Sequence, residues 1–184
     1  MRKSLALKLC FGVVAGLMVV GSAVGDKATL EVVSSVDLNR YVGRWYEIAR
    51  TDNRFERSCA GDVTATYTLM PDGQVSVLNE CRRKDGSTDQ ARGKAKVADR
   101  GTNAKLRVTF FWPFYGDYWI IVLDKDYQYA VVGEPDRRYL WILSRSPEMD
   151  EATYRGLLKR IEELGYDKGK VLRTPQPGAT GGKS

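Results

Sequence analysis

The chain carries three thiols, Cys10, Cys59 and Cys81, and no histidine. Without an imidazole to take a proton or hold a metal, a His-based general base, a catalytic triad and a His-ligated metal site are excluded outright. Enzyme chemistry would fall to Cys59 or Cys81 as a pocket nucleophile, which requires a free thiol and an activator other than histidine. A pigment- or haem-binding module is a further alternative, in which haem ligation would fall to Tyr or Cys. The other residues with chemistry to offer are aromatic. Trp45 follows Gly43 in the strand-like run Gly43-Arg44-Trp45-Tyr46-Glu47-Ile48-Ala49-Arg50, and residues 110–119 read Phe-Phe-Trp-Pro-Phe-Tyr-Gly-Asp-Tyr-Trp. A tryptophan is too costly to leave exposed in a first strand, so something must pack on both of its faces.

The compartment decides what the two later thiols do. Arg2, Lys3 and Lys8 precede an apolar run over residues 9–20, and Ala23-Val24-Gly25 supplies the small residues of a cleavage site, so residues 1–25 read as a signal peptide. Cys10 lies at the start of the apolar run rather than after it, two residues from Lys8 and without the small-residue context of a lipid-acylation site, and the expected product is a soluble exported protein. In an oxidising compartment Cys59 and Cys81 are expected to pair. Residues 1–25 hold three of the basic residues and no acidic one, which leaves 26 Lys and Arg against 23 Asp and Glu, a net of +3. A mild, interspersed excess of that size is no nucleic-acid footprint.

The elements that position these residues are strands. Residues 36–41 suggest a helical turn capped by Asp37, and strands are expected over 43–50, 63–69, 74–81, 91–98, 105–111, 118–123, 127–132 and 139–144, with turn residues such as Met70-Pro71-Asp72-Gly73 between them. Eight strands joined by short loops, without a helical pattern among them, are most economically an all-β, up-and-down antiparallel barrel with no exposed edge. The period then changes. Ser146-Pro147-Glu148-Met149-Asp150 starts a helix, Tyr154, Leu157, Leu158, Ile161 and Leu164 form one apolar stripe, and Gly165 closes it, so this C-terminal helix packs outside the barrel. Residues 170–174 suggest one more short strand. The barrel domain is expected over residues 26–174 and a disordered tail over 175–184.

Eight strands, one C-terminal helix and a Gly-x-Trp opening the first strand together resemble the lipocalin family. Residues 43–50 look like its first signature, and Leu143-Ser144-Arg145 like its third. Asp124-Lys125-Asp126-Tyr127-Gln128-Tyr129 looks like the second, with aromatic spacing one residue shorter than usual. Trp45-Tyr46-Glu47-Ile48-Ala49-Arg50, Thr64-Ala65-Thr66-Tyr67, Phe114-Tyr115-Gly116 and the run Tyr139-Leu140-Trp141-Ile142-Leu143-Ser144-Arg145-Ser146-Pro147 are similar to the bacterial outer-membrane lipocalins and to apolipoprotein D. The resemblance implies a non-enzymatic carrier or store for fatty acids or lysophospholipids in the cell envelope, periplasmic or outer-membrane associated. It implies no cofactor.

Such a barrel holds one small ligand. With the first strand rising from the closed end, Arg145 returns beside Trp45, where its guanidinium can cover the indole and bond the carbonyls of the floor; Gly43, Trp45 and Arg145 are then structural. Loops over 50–58, 82–90, 111–117 and 133–138 fall at the open end. Cys59 and Cys81 lie near that rim, in a register that needs a bulge for them to meet. An inward Arg145 puts Leu143, Trp141 and Tyr139 on the inner face, with Trp141 midway up the ligand cavity. By alignment to the resembling proteins, Tyr67, Asn79, Phe110 and Tyr118 also face the ligand. The loop from Phe111 to Asp117 would be a lid, a homodimer contact or a peripheral membrane contact.

Overall fold

The computed structural model describes residues 29–177, so the expected leader and residues 178–184 lie outside the described residues. Eight antiparallel strands form the wall: β1 (Gly43–Thr51), β2 (Cys59–Leu69), β3 (Val75–Arg83), β4 (Thr88–Val97), β5 (Lys105–Phe111), β6 (Phe114–Leu123), β7 (Tyr129–Gly133) and β8 (Leu140–Ser144). Each pairs with its neighbour in sequence, and β1 closes the ring by pairing with both β2 and β8. The expected closed barrel is therefore present. A short α1 (Leu38–Tyr41), capped by Asp37 through Asn39 N–H, underlies one end. Helix α2 (Glu151–Glu163) lies outside.

Two apolar layers explain why the last strands read as unbroken hydrophobic runs. On β7, Ala130 and Val132 face the barrel interior while Val131 faces α2; on β8, Leu143 faces inward while Leu140 and Ile142 face the helix. Tyr154, Leu157 and Ile161 supply the helix side of that outer layer. The helix begins on Asp150, which accepts from Thr153 N–H, and ends as expected at Gly165. There Gly165 N–H bonds Glu162 O and Tyr166 N–H bonds Ile161 O, the paired bonds that satisfy a helix's last carbonyls. Among the described residues no helix is long and apolar enough to cross a membrane.

Three of the differences from the sequence expectation bear on the mouth of the barrel. Strand β2 starts at Cys59 rather than residue 63, because its register with β3 shifts twice between Cys59 and Thr64 and pairing survives the irregularity. The expected open-end loop over 111–117 is mostly strand. Phe111 pairs directly with Phe114, their rings stacked 6.3 Å apart, and only Trp112 and Pro113 form the tip. The ordered chain also runs past residue 174. Strand β9 (Val171–Arg173) pairs with Ala49–Thr51 of β1 on the side that β2 has left. Beyond it Pro175 O accepts from Asp62 N–H at 2.8 Å, and buried Gln176 donates to Glu47 O and Val63 O at 2.7 and 2.8 Å. This segment fills the fork between β1 and β2, where two diverging strands would otherwise leave buried backbone groups unpaired.

Candidate ligand pocket

The closed end is built around Trp45, which is fully buried and donates from Nε1 to Tyr41 O at 2.8 Å. The Arg145 guanidinium lies 3.8 Å from the centroid of that indole. It donates to Arg40 O, Arg44 O, Tyr41 O and Val42 O at 2.8 to 3.0 Å, and from Nε to Tyr127 O at 3.3 Å. Five backbone carbonyls, of which Tyr41 O is shared with Trp45 Nε1, thus converge on one planar cation. Gly43 belongs to the same arrangement. Its φ is +97°, and a Cβ there would stand 3.2 Å from Arg145 Nη1. Tyr127, from the 124–129 motif, accepts Asp37 N–H on its hydroxyl and lies under Arg40, which fastens α1 to the floor.

Above this floor the barrel encloses a cavity of about 720 Å³ open at the other end. Tyr67, Asn79, Phe110, Tyr118 and Trp141 line it. Tyr139 does not: β8 begins one residue later, so its ring leans instead on Phe55, 5.6 Å away, and on Trp141, 6.1 Å away. Phe55, from the turn Arg54–Glu56, takes the wall position at the mouth. A smaller hollow of about 430 Å³ on the outer surface is lined by Thr51, Asp52, Arg137, Arg138, Asp167 and Lys170, with Tyr166 and Leu172 as its larger apolar side chains.

Two carboxylic residues of the wall were not singled out from the sequence. Glu56 accepts from Trp141 Nε1 at 3.0 Å and from Asn53 Nδ2 at 3.1 Å, and pairs with Arg50 at 2.9 Å. Glu47 is buried, accepts from the Thr174 hydroxyl and lies 3.8 Å from Arg50. Burial, and then the charge of Glu56, push its carboxyl well above the usual range, against the Thr174 hydrogen bond and Arg50. A signal was available: Glu47 shares strand parity with Trp45, and a charged residue on a barrel's inner face needs a polar network. Its partners, 127 residues away at Thr174 and at Gln176 beyond it, had no local signature.

Cys59 and Cys81 are joined in a disulfide across β2 and β3, with Cα atoms 5.6 Å apart. The register shift that the pairing was expected to need is present between Cys59 and Gly61. No cluster of three or more Cys, Asp or Glu side chains suited to a metal occurs among the described residues.

Residues 36–176 match the family model of the lipocalin-like domain. The chain is a lipocalin. It is 46% identical over 149 residues to the outer membrane lipoprotein Blc of Escherichia coli K12, covering 80% of this chain and 84% of that one. It is 45% identical over 159 residues to temperature-induced lipocalin-1 of Arabidopsis thaliana, covering 82% and 85%. Apolipoprotein D of Mus musculus is 33% identical over 154 residues, 79% of each chain. Among solved structures, insecticyanin from the tobacco hornworm superposes with a TM-score of 0.66 at 22% identity, covering 82% of this lipocalin and 86% of that chain. Apocrustacyanin C2 superposes with a TM-score of 0.63 at 20% identity, over 78% and 81%. At those identities the two structures speak to the fold alone.

The mouth of this lipocalin titrates near neutrality. Burial, and next the charge of Asp136, raise the Glu134 carboxyl from 4.5 to about 7, with Arg138 opposing. A carboxyl whose folded value is raised stabilises fully below its unfolded value and loses that contribution as pH climbs through its folded value. The protein is therefore expected to lose stability between pH 4.5 and pH 7 relative to its Glu134→Gln variant. Urea midpoints of the two proteins across that window check this, and parallel curves would refute it.

Proposed function

We propose that this lipocalin is a non-enzymatic binder of single-chain amphipathic lipids, fatty acids and lysophospholipids, which it carries or stores in the envelope of the exporting cell. The observation that carries the reading is the cavity: about 720 Å³, walled mainly by aliphatic and aromatic side chains, with tyrosine hydroxyls, Thr64, Asn79 and a few carboxyl groups among them. That volume and lining suit one acyl chain. Relatives named as an outer membrane lipoprotein and an apolipoprotein support a lipid-handling role. The disulfide leaves neither Cys59 nor Cys81 free as a nucleophile, so nothing here favours a thiol enzyme.

The hairpin tip supplies a means of reaching lipid. Phe111, Trp112 and Phe114 are more than two-thirds exposed, at 75%, 77% and 71%, beside the cavity mouth. Each would bury substantial apolar area in a bilayer surface, roughly 2 kcal/mol apiece. Native mass spectrometry of protein purified from its own envelope should show co-purified lipid, and 1-palmitoyl lysophosphatidylcholine should quench tryptophan fluorescence saturably, chiefly through Trp141. The Trp112→Ser/Phe114→Ser variant should sediment several-fold less with vesicles of phosphatidylethanolamine and phosphatidylglycerol. Protein free of lipid and without saturable quenching would end the proposal; unchanged sedimentation would end only its membrane part.

A further inference from the structure

The cavity floor carries a hydrogen-bond donor that the protein does not use. Tyr41, Tyr67 and Tyr118 all line the cavity, and their hydroxyls form a chain: Tyr41 to Tyr118 at 2.8 Å, Tyr118 to Tyr67 at 2.9 Å. Three phenols own three O–H protons, and the two links consume two. With Tyr118 donating to Tyr67, Tyr41 must donate to Tyr118, and the Tyr67 O–H is left without a protein acceptor among the described residues. Tyr67 is 8% exposed and Tyr41 4%. Such an orphaned buried donor costs free energy unless a ligand meets it. Burial holds all three phenols above their ordinary value, Tyr67 at about 12, so they remain protonated donors. The Arg145 charge behind Trp45 adds a positive field that reaches Tyr41 and, against the larger opposing influence of Glu47, Tyr67.

The mouth has the opposite character. Glu56, Glu80, Asp89, Asp117 and Glu134 belong to the wall, against Arg54 as its basic side chain. Arg50 and Arg83 neutralise Glu56 and Asp89 from outside the cavity, and the remaining bias is still acidic. An anionic group is repelled at the mouth and finds a donor and a positive field at the floor.

Building on the lipid-binding reading, we propose that this pocket takes an unesterified long-chain fatty acid carboxyl end first. A carboxyl oxygen accepts the unused phenol proton of the Tyr41–Tyr118–Tyr67 chain, and the methyl end lies among the aromatic residues of the mouth. A lysophospholipid, whose headgroup is too bulky for the floor, enters tail first in the same cavity and leaves that proton unused.

The test uses [1-13C]palmitate and 1-palmitoyl lysophosphatidylcholine with the full-length mature protein. The carboxyl resonance of bound palmitate should stay constant between about pH 5 and pH 8, as expected for a carboxyl away from solvent. The Tyr67→Phe variant should shift that resonance and weaken palmitate about tenfold, the effect of losing one hydrogen bond to a carboxyl group, whereas Tyr118→Phe, which leaves the Tyr67 O–H in place, should weaken it less. Lysophosphatidylcholine affinity should stay within about twofold, because its polar end never reaches the floor. A bound carboxyl that titrates as it does in solvent overturns the orientation while lipid binding stands, and that measurement needs no variant. Equal losses for both lipids in folded variants also overturn it. Failure of the unaltered protein to bind either lipid would remove the reading on which it rests.

Discussion

Replacing Arg145 by alanine is expected to destabilise the barrel by at least about 3 kcal/mol, since hydrogen bonds from a charged donor contribute about 1.5–3 kcal/mol each and five carbonyls lose this donor together, Tyr41 O alone keeping that of Trp45 Nε1. The effect is concentrated because the acceptors are neighbours. Arg40 O, Tyr41 O, Val42 O and Arg44 O come from one short stretch, and the single cation on them also covers the buried Trp45 indole. Losing it opens the floor on the side of α1. Arg145→Lys is the informative companion. A lysine keeps the charge but offers three donors from one point, without the planar fork that lies on the ring, and it should recover less than half of the loss. Urea unfolding of the three proteins measures this. A lysine variant within about 0.5 kcal/mol of the unaltered protein would show that charge alone closes the floor.

Removing the disulfide should have a comparable effect at the opposite end. Cys59 and Cys81 are separated by 22 residues, and a crosslink closing a loop of that length restrains the unfolded chain by about 3 kcal/mol. The Cys59→Ser/Cys81→Ser variant, or the protein under reductant, should show that loss in its urea midpoint. The native side of the argument is local. Between Cys59 and Thr64 the register of β2 against β3 is irregular, so the crosslink holds a stretch where the ladder is weakest. Both cysteines line the cavity, so the variant is also expected to bind lysophosphatidylcholine more weakly. Unchanged stability on reduction would mean that β2 is held at the mouth by other contacts, such as the Arg82–Asp62 and Arg83–Asp89 pairs.

Helix α2 was legible because its stripe of Tyr154, Leu157, Ile161 and Leu164 repeats every three or four residues and its ends carry Asp150 and Gly165, all local features. The strands were legible for the same reason, apart from their ends. A strand's end depends on whether its partner is still opposite, which is why β2 and β6 both began earlier than expected. Tyr139 was misplaced for a related reason: counting parity back from Arg145 assumed that β8 extended that far, whereas it begins at Leu140.

Short-range periodicity in the amino-acid sequence set the barrel and the outer helix, and motifs of fixed spacing set Trp45 beneath Arg145, whereas the pairing of Cys59 with Cys81 was expected only from the compartment. Only the tertiary structure decided which polar groups meet inside. Tyr67 and Tyr118 are 51 residues apart and Glu47 and Thr174 are 127 apart, and neither pair leaves a mark on the chain near either partner. Barrel closure brings those residues together, and burial makes their hydrogen bonds obligatory. The polar contacts of the pocket therefore come together through closure of the barrel, which no local pattern encodes.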